Sequence, residues 1–159
     1  MARGYLRRKD KAMSIEEIEQ FLAEEQVGRL ASVGEDGWPY VIPLNYTFFN
    51  GQIIFHSAAG GHKLDNIAFN SRVCFVIDKC YDLVENRNPC EFSVRYKSVV
   101  VFGTARFVAA EEKKKEYLEA FIKKYALHGE VQEMASASLA RTIVIAVNIE
   151  MLTGKKSGL

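Results

Sequence analysis

The chain has 159 residues, a formal net charge of +1 and 48% hydrophobic side chains. This is the length of one domain with a real core, and the near-neutral balance excludes a global pull toward nucleic acid or anionic lipid. No stretch approaches the roughly 20 apolar residues of a membrane helix, and no apolar region follows the first positive charges as it would in a signal peptide.

In chain order, residues 1–12, with the run Arg7-Arg8-Lys9-Asp10-Lys11, read as a solvated N-terminal tail before a single domain over 13–159. Ser14-Ile15-Glu16-Glu17 is a capping-box signature. Ile15, Ile18, Phe21 and Leu22 follow at helical spacing and Gly28 ends the run, which predicts a first amphipathic helix. A short strand over Leu30–Val33, a turn at Asp36-Gly37, a long strand over Trp38–Phe49, a second turn at Asn50-Gly51 and a strand over Gln52–Ser57 compose a meander. The stretch from about His62 to Asn70 is helix-like, and Arg72–Ile77 is an apolar strand. Residues 80–91, with Asn88-Pro89, read as irregular. Phe92–Val108 is long and β-rich, with Gly103 as a bend or bulge. Glu111–Leu127 is a helix that Gly129 ends, and Thr142–Ile149 is a last β-branched strand. About six antiparallel strands joined by hairpins, with helices between them, predict a mainly β closed or nearly closed barrel. Strands and helices do not alternate as a doubly wound sheet requires.

Cys74, Cys80 and Cys90 are odd in number and lack a C-x-x-C pair, so three free thiols in a reducing cytoplasm are expected. The three histidines form no H-x-x-x-H pair, and no metal site is expected.

Chemistry concentrates in His56-Ser57-Ala58-Ala59-Gly60-Gly61-His62-Lys63. The small residues let backbone N–H groups approach a ligand, and the helix that follows turns its N-terminus to the same point. Lys63 adds a charge, Ser57 a hydroxyl, and His56 and His62 further donors. These groups suit a phosphate monoester; the competing reading is a solvated loop with a chance lysine. Upstream, Pro43 interrupts Tyr40-Val41-Ile42-Pro43-Leu44-Asn45-Tyr46, which marks an edge or a ligand-facing stretch. Asn45 and Tyr46 there offer an amide and a ring to a planar heteroaromatic ligand, with Trp38 as a second ring that could equally belong to the core or an interface.

The segment DGWPYVIPLNYTFFNGQIIFHSAAGGHKLDNIAFNSRVCFVID resembles the core of the FMN-binding split-barrel proteins related to pyridoxamine 5'-phosphate oxidase, most closely the 5-nitroimidazole-resistance branch. YKSVVVFGTARFV and IEMLTGKKS also resemble that branch, so the resemblance runs from about Met13 to Ser157. It implies a homodimer of split β-barrels with FMN in the interface. By position, Val41, Ile42 and Pro43 would offer backbone atoms to the isoalloxazine. Asn45 stands where the oxidases carry a lysine facing the ring, and His56 and Ser57 where they carry an aromatic-hydroxyl pair near the phosphate. Ala58 belongs to the same turn. Lys63 matches a phosphate-binding lysine, His62 replaces its basic neighbour, and Ser98 stands where the oxidases carry a glutamine touching the flavin.

The chain departs from the oxidases at its end, TGKKSGL, which lacks their tryptophan and arginine-rich segment, and this argues against vitamin B6 oxidation. The resemblance therefore implies a cytoplasmic FMN-dependent oxidoreductase. It would take electrons from a small donor such as NAD(P)H and pass them to a small planar acceptor such as a nitroaromatic, with no nucleic-acid or membrane partner. The alternatives are a non-catalytic flavin store, or a haem-binding relative using His56, His62 or His128.

Overall fold

The computed structural model describes residues 6–126 and 136–159. Helix α1 spans Ile15–Glu24 behind an intact capping box: Ser14 Oγ accepts from the Glu17 N–H, and the Glu17 carboxylate accepts from the Ser14 N–H at 2.9 Å. Its apolar face buries Ile18, Phe21 and Leu22. Three strands follow, β1 (Val27–Val33), β2 (Pro39–Asn45) and β3 (Thr47–Phe49). Asn50 and Gly51 both take positive φ, 50° and 70°, which matches the twist of a tight hairpin into β4 (Gln52–Ser57).

Helix α2 (His62–Phe69) leads into β5 (Arg72–Val84), which pairs with β6 (Ser93–Phe107). Helix α3 is Glu111–Tyr125, a short helix α4 covers Ser136–Arg141, and β7 runs from Ile143 to Ser157. The seven strands form one antiparallel sheet in the order β2-β1-β5-β6-β7-β4-β3. Its two outermost strands, β2 and β3, are separated in the chain by Tyr46 alone. The sheet must therefore curl until its edges meet there, which makes the fold a mainly β split barrel.

The core lies inside the curl. Leu30, Phe55, Phe75, Ile77, Val99, Val101, Ile145 and Val147 fill it with the buried face of α1, and Tyr117 and Leu118 of α3 anchor a second cluster against Ile54 and Val144.

Several expectations change. Residues 80–84 are not irregular but continue β5, because β6 pairs with them past a register shift between Cys80 and Asp82. β7 continues past Ile149 to Ser157, since β6 supplies partners along that length. The long second strand breaks into β2 and β3 at Tyr46, giving seven strands rather than six, and α4 adds a helix. The register does shift at Gly103, between Phe102 and Gly103, but the extra residue is Glu150 on the partner strand β7 and not the glycine. Within the segment read as a tail, Ala12 bridges Lys155 and the Lys11 ammonium donates to Ser157 Oγ at 2.6 Å. Gly129 and His128 lie outside the described residues.

Candidate functional site

At the end of β4 the chain turns through Ala58, Ala59, Gly60 and Gly61, all exposed, and enters α2 at His62. Gly61 has φ of +126°, a conformation L side chains rarely adopt, and its carbonyl accepts from the Leu64 N–H at 2.8 Å. No side chain caps this helix, so the N–H groups of His62 and Lys63 remain as donors, while those of Leu64 and Asp65 donate to the Gly61 carbonyl. Lys63 is half-buried and, among the described residues, has no carboxylate within 4.0 Å. Its charge is felt by His56, whose pKa is lowered first by burial and second by Lys63. The His56 ring is exposed on one side and backed by Phe121 on the other, with ring centroids 4.6 Å apart. A neutral His56 beside a charged Lys63 is one cation and one neutral hydrogen-bonding ring, suited to a phosphate. Ser57 is buried at the end of β4, opposite Ile143.

Strand β2 ends the strand order and pairs with β1 on one side, an edge position that tolerates Pro43. Val41, Pro43 and Asn45 point outward while Ile42 and Leu44 are half-buried, as the period of two requires. The Tyr40 ring meets the His62 ring edge-on, centroids 4.6 Å apart. That contact seats the start of α2 on the start of β2, on the side of Tyr40, Ile42 and Leu44; Val41 and Pro43 face the other side of the same edge strand.

Two candidates stand elsewhere. Tyr46 is no ligand platform: it is fully buried, its ring packs on Phe75 and its hydroxyl donates to the Leu22 carbonyl at 2.8 Å. As the hinge between β2 and β3 its side chain turns into the core, whereas Asn45 beside it faces outward, its amide at the Tyr125 hydroxyl. Ser98 lies on β6, opposite Asp78 and Lys155. Three strand spacings separate it from β2, about 14 Å at roughly 4.8 Å each. Trp38 is 76% exposed and precedes β2.

The structure adds residues that the sequence reading missed. A groove of about 450 Å³ opens beside β2, walled by Ala31, Pro39, Cys74 and Phe102, with Asn70 and Arg72 at its polar end. Ala31 pairs with Val41, so the groove adjoins the outward face of β2. The signal for Arg72 was a lone cation opening an apolar strand directly after α2. Asn66, buried on α2, was also missed; its signal was an amide on an otherwise apolar helix face. Among the described residues no three His, Cys, Asp or Glu side chains converge as a metal site would require, and no helix is long and apolar enough to cross a membrane.

A family model for pyridoxamine 5'-phosphate oxidase matches residues 14–156. A 5a,11a-dehydrotetracycline/5a,11a-dehydrooxytetracycline reductase of Streptomyces rimosus is 30% identical over 90 residues, which cover 54% of this chain and 58% of that protein. The match thus spans little more than half of that relative. A candidate 5-nitroimidazole antibiotic resistance protein from Bacteroides thetaiotaomicron superposes with a TM-score of 0.80 at 23% identity, over 91% of this chain and 85% of its own. The FAD and heme binding protein of Mycobacterium smegmatis does so with a TM-score of 0.85 at 24% identity, over 94% and 74%.

Proposed function

The chain belongs to the pyridoxamine 5'-phosphate oxidase family, and on that footing we propose that it is a homodimeric FMN-binding oxidoreductase that reduces a small planar acceptor. The observation that carries the reading is the junction of α2 with β2 and β4. There a half-buried lysine without a carboxylate partner among the described residues, a histidine and the first N–H groups of α2 lie by the edge strand β2, which meets α2 through Tyr40 and His62. Lys63 and the first N–H groups of α2 would hold the phosphate, with His56, Ser57 and His62 completing its hydrogen bonds and Ala58 leaving the approach open. Val41, Ile42 and Pro43 would lie along the ring system. Asn45, near the Tyr125 hydroxyl, would stand at the ring's far end.

Bound FMN would supply the redox chemistry; this chain's residues orient it and leave one ring face open. No side chain is assigned to proton transfer. The outer sheet face supports the dimer. Ala31, Val41, Val76, Val100 and Phe102 share it by register with no helix over them among the described residues, and Val41 is 59% exposed. A second copy would cover that face and bring its own Ser98 toward the ring. The reductases and flavin proteins among the similar chains support a reducing role, and a nitroaromatic is the acceptor class we favour.

The test is the absorption spectrum of the purified protein, chromatography of the extracted cofactor, and oxidation of NADPH with a nitroaromatic present. Flavin bands, FMN as the extracted species and acceptor-dependent NADPH loss are expected. A Soret band would favour haem instead, and flavin without turnover would favour a store.

A further inference from the structure

We infer that Asn66 is a positioning residue for Lys63: its hydrogen bond to Ser32 sets the rotation of α2 about its axis, and with it the place of the lysine ammonium. The inference rests on the phosphate reading proposed above. Helix α2 has eight residues and no side-chain N-cap, and a helix so short does not hold its shape alone. It is held by one face, where Leu64, Asn66 and Ile67 are buried. At 3.6 residues per turn, Lys63 falls in the middle of that arc, with Asn66 on one flank and Leu64 and Ile67 on the other.

The two flanks act differently. Apolar burial of Leu64 and Ile67 is non-directional: it turns that side of the helix inward but sets the roll only coarsely. Asn66 is directional. Its Nδ2 donates to Ser32 Oγ on β1 at 3.2 Å, and the two residues are 3% and 2% exposed. Water is excluded there, so a roll that broke the bond would leave a buried polar group unpaired. The neighbouring backbone is shaped to Asn66: a Cβ at Gly34 would lie 2.3 Å from Asn66 Oδ1. A helix with its side chains has a radius of about 5–6 Å, so a roll of about 30° moves a side-chain tip by about 3 Å, the length of a hydrogen bond. The consequence falls at the other end of the same face, where Lys63 acts on His56 and His62 rests on Tyr40.

The experiment compares dissociation constants for FMN and for riboflavin, which has the same ring and no phosphate, in the wild type, Asn66→Ala, Ser32→Ala, Lys63→Ala and Lys63→Ala/Asn66→Ala. Asn66→Ala is expected to weaken FMN by roughly five- to tenfold, the scale of one lost hydrogen bond, and riboflavin by less than about twofold. Ser32→Ala, a smaller change, should reproduce the effect if Asn66→Ala folds poorly. The double variant should bind FMN as weakly as Lys63→Ala alone, because the positioning has nothing left to position. Equal weakening of FMN and riboflavin, or additive losses in the double variant, would overturn the inference. If Lys63→Ala selectively weakens FMN but neither Asn66→Ala nor Ser32→Ala does, the inference fails while the phosphate site stands. If Lys63→Ala itself leaves the FMN-to-riboflavin ratio unchanged, the phosphate reading fails and takes the inference with it.

Discussion

The rings of Tyr40 and His62 meet edge to face with centroids 4.6 Å apart and planes at 71°. One is the second residue of the edge strand β2 and the other the first of α2, 22 positions later in the chain, and their contact joins the two elements. An aromatic pair of this geometry contributes about 0.5–1.5 kcal/mol beyond its burial. Tyr40→Ala is therefore expected to lower the thermal midpoint by a few degrees, at roughly 2–4 °C per kcal/mol for a domain of this size, and to weaken FMN binding. Calorimetry and flavin titration of the same variant check both. A lowered midpoint with unchanged FMN affinity would separate the contact from the site.

Asn45 faces outward from β2 with its amide at the Tyr125 hydroxyl. A lysine there would place a positive charge beside the ring of a bound FMN and favour its reduced, more negative form. Asn45→Lys is expected to raise the reduction potential with the fold kept. An unchanged potential with a lowered thermal midpoint would assign Asn45 to holding Tyr125 and not to the flavin.

Gly28 on β1 faces the core, where a Cβ would lie 2.0 Å from the Phe75 ring. That ring is fully buried and edge-packed on Tyr46, so it has little room to yield. Gly28→Ala is expected to cost about 1–3 kcal/mol by overpacking, read as a shift in the urea midpoint. The Gly37→Ala variant is the contrast. Nothing lies within 4 Å of its Cβ, and its cost comes from φ of +77° alone.

Lys124 caps the C-terminal end of α1, its ammonium donating to the Glu25 carbonyl at 2.6 Å and to the Leu22 carbonyl at 3.3 Å over the Tyr46 ring. Burial lowers its pKa from 10.5 to about 8. Between about pH 8 and 10.5 the unfolded chain keeps a proton on this amine that the folded chain has released. The unfolded state binds more protons, so this group makes stability rise with pH through that window. Burial raises the Tyr46 pKa above 10.0, so above pH 10 the unfolded state loses a proton that the folded state keeps, and Tyr46 makes stability fall. The stability difference between wild type and Lys124→Met, measured by urea unfolding, should grow in favour of the wild type from pH 8 to 10.5. A flat difference would mean that the amine is not desolvated.

The sequence by itself determined the local elements whose signals are carried by neighbouring residues. The capping box at Ser14 and Glu17, the positive-φ pair Asn50-Gly51 and the start of α2 at His62 all follow from one residue's own backbone preference or from a partner within a few positions. The proposed phosphate grouping around His56 and Lys63 could be suggested for the same reason, since eight consecutive residues hold it. What the tertiary structure decided is everything that depends on partners far along the chain. β5 runs to Val84 because β6 folds back beside it, and β7 runs to Ser157 because β6 lies beside it too; no local propensity announces that second neighbour, about fifty residues or more away. Tyr46 looks like Asn45's companion in the sequence, but barrel closure hinges there and turns its ring into the core, so one residue of the pair faces solvent and the other is buried. Arg72, Asn66 and Ser32 carry no motif; they matter because the curl of the sheet lays α2 on β1 and opens a groove beside them.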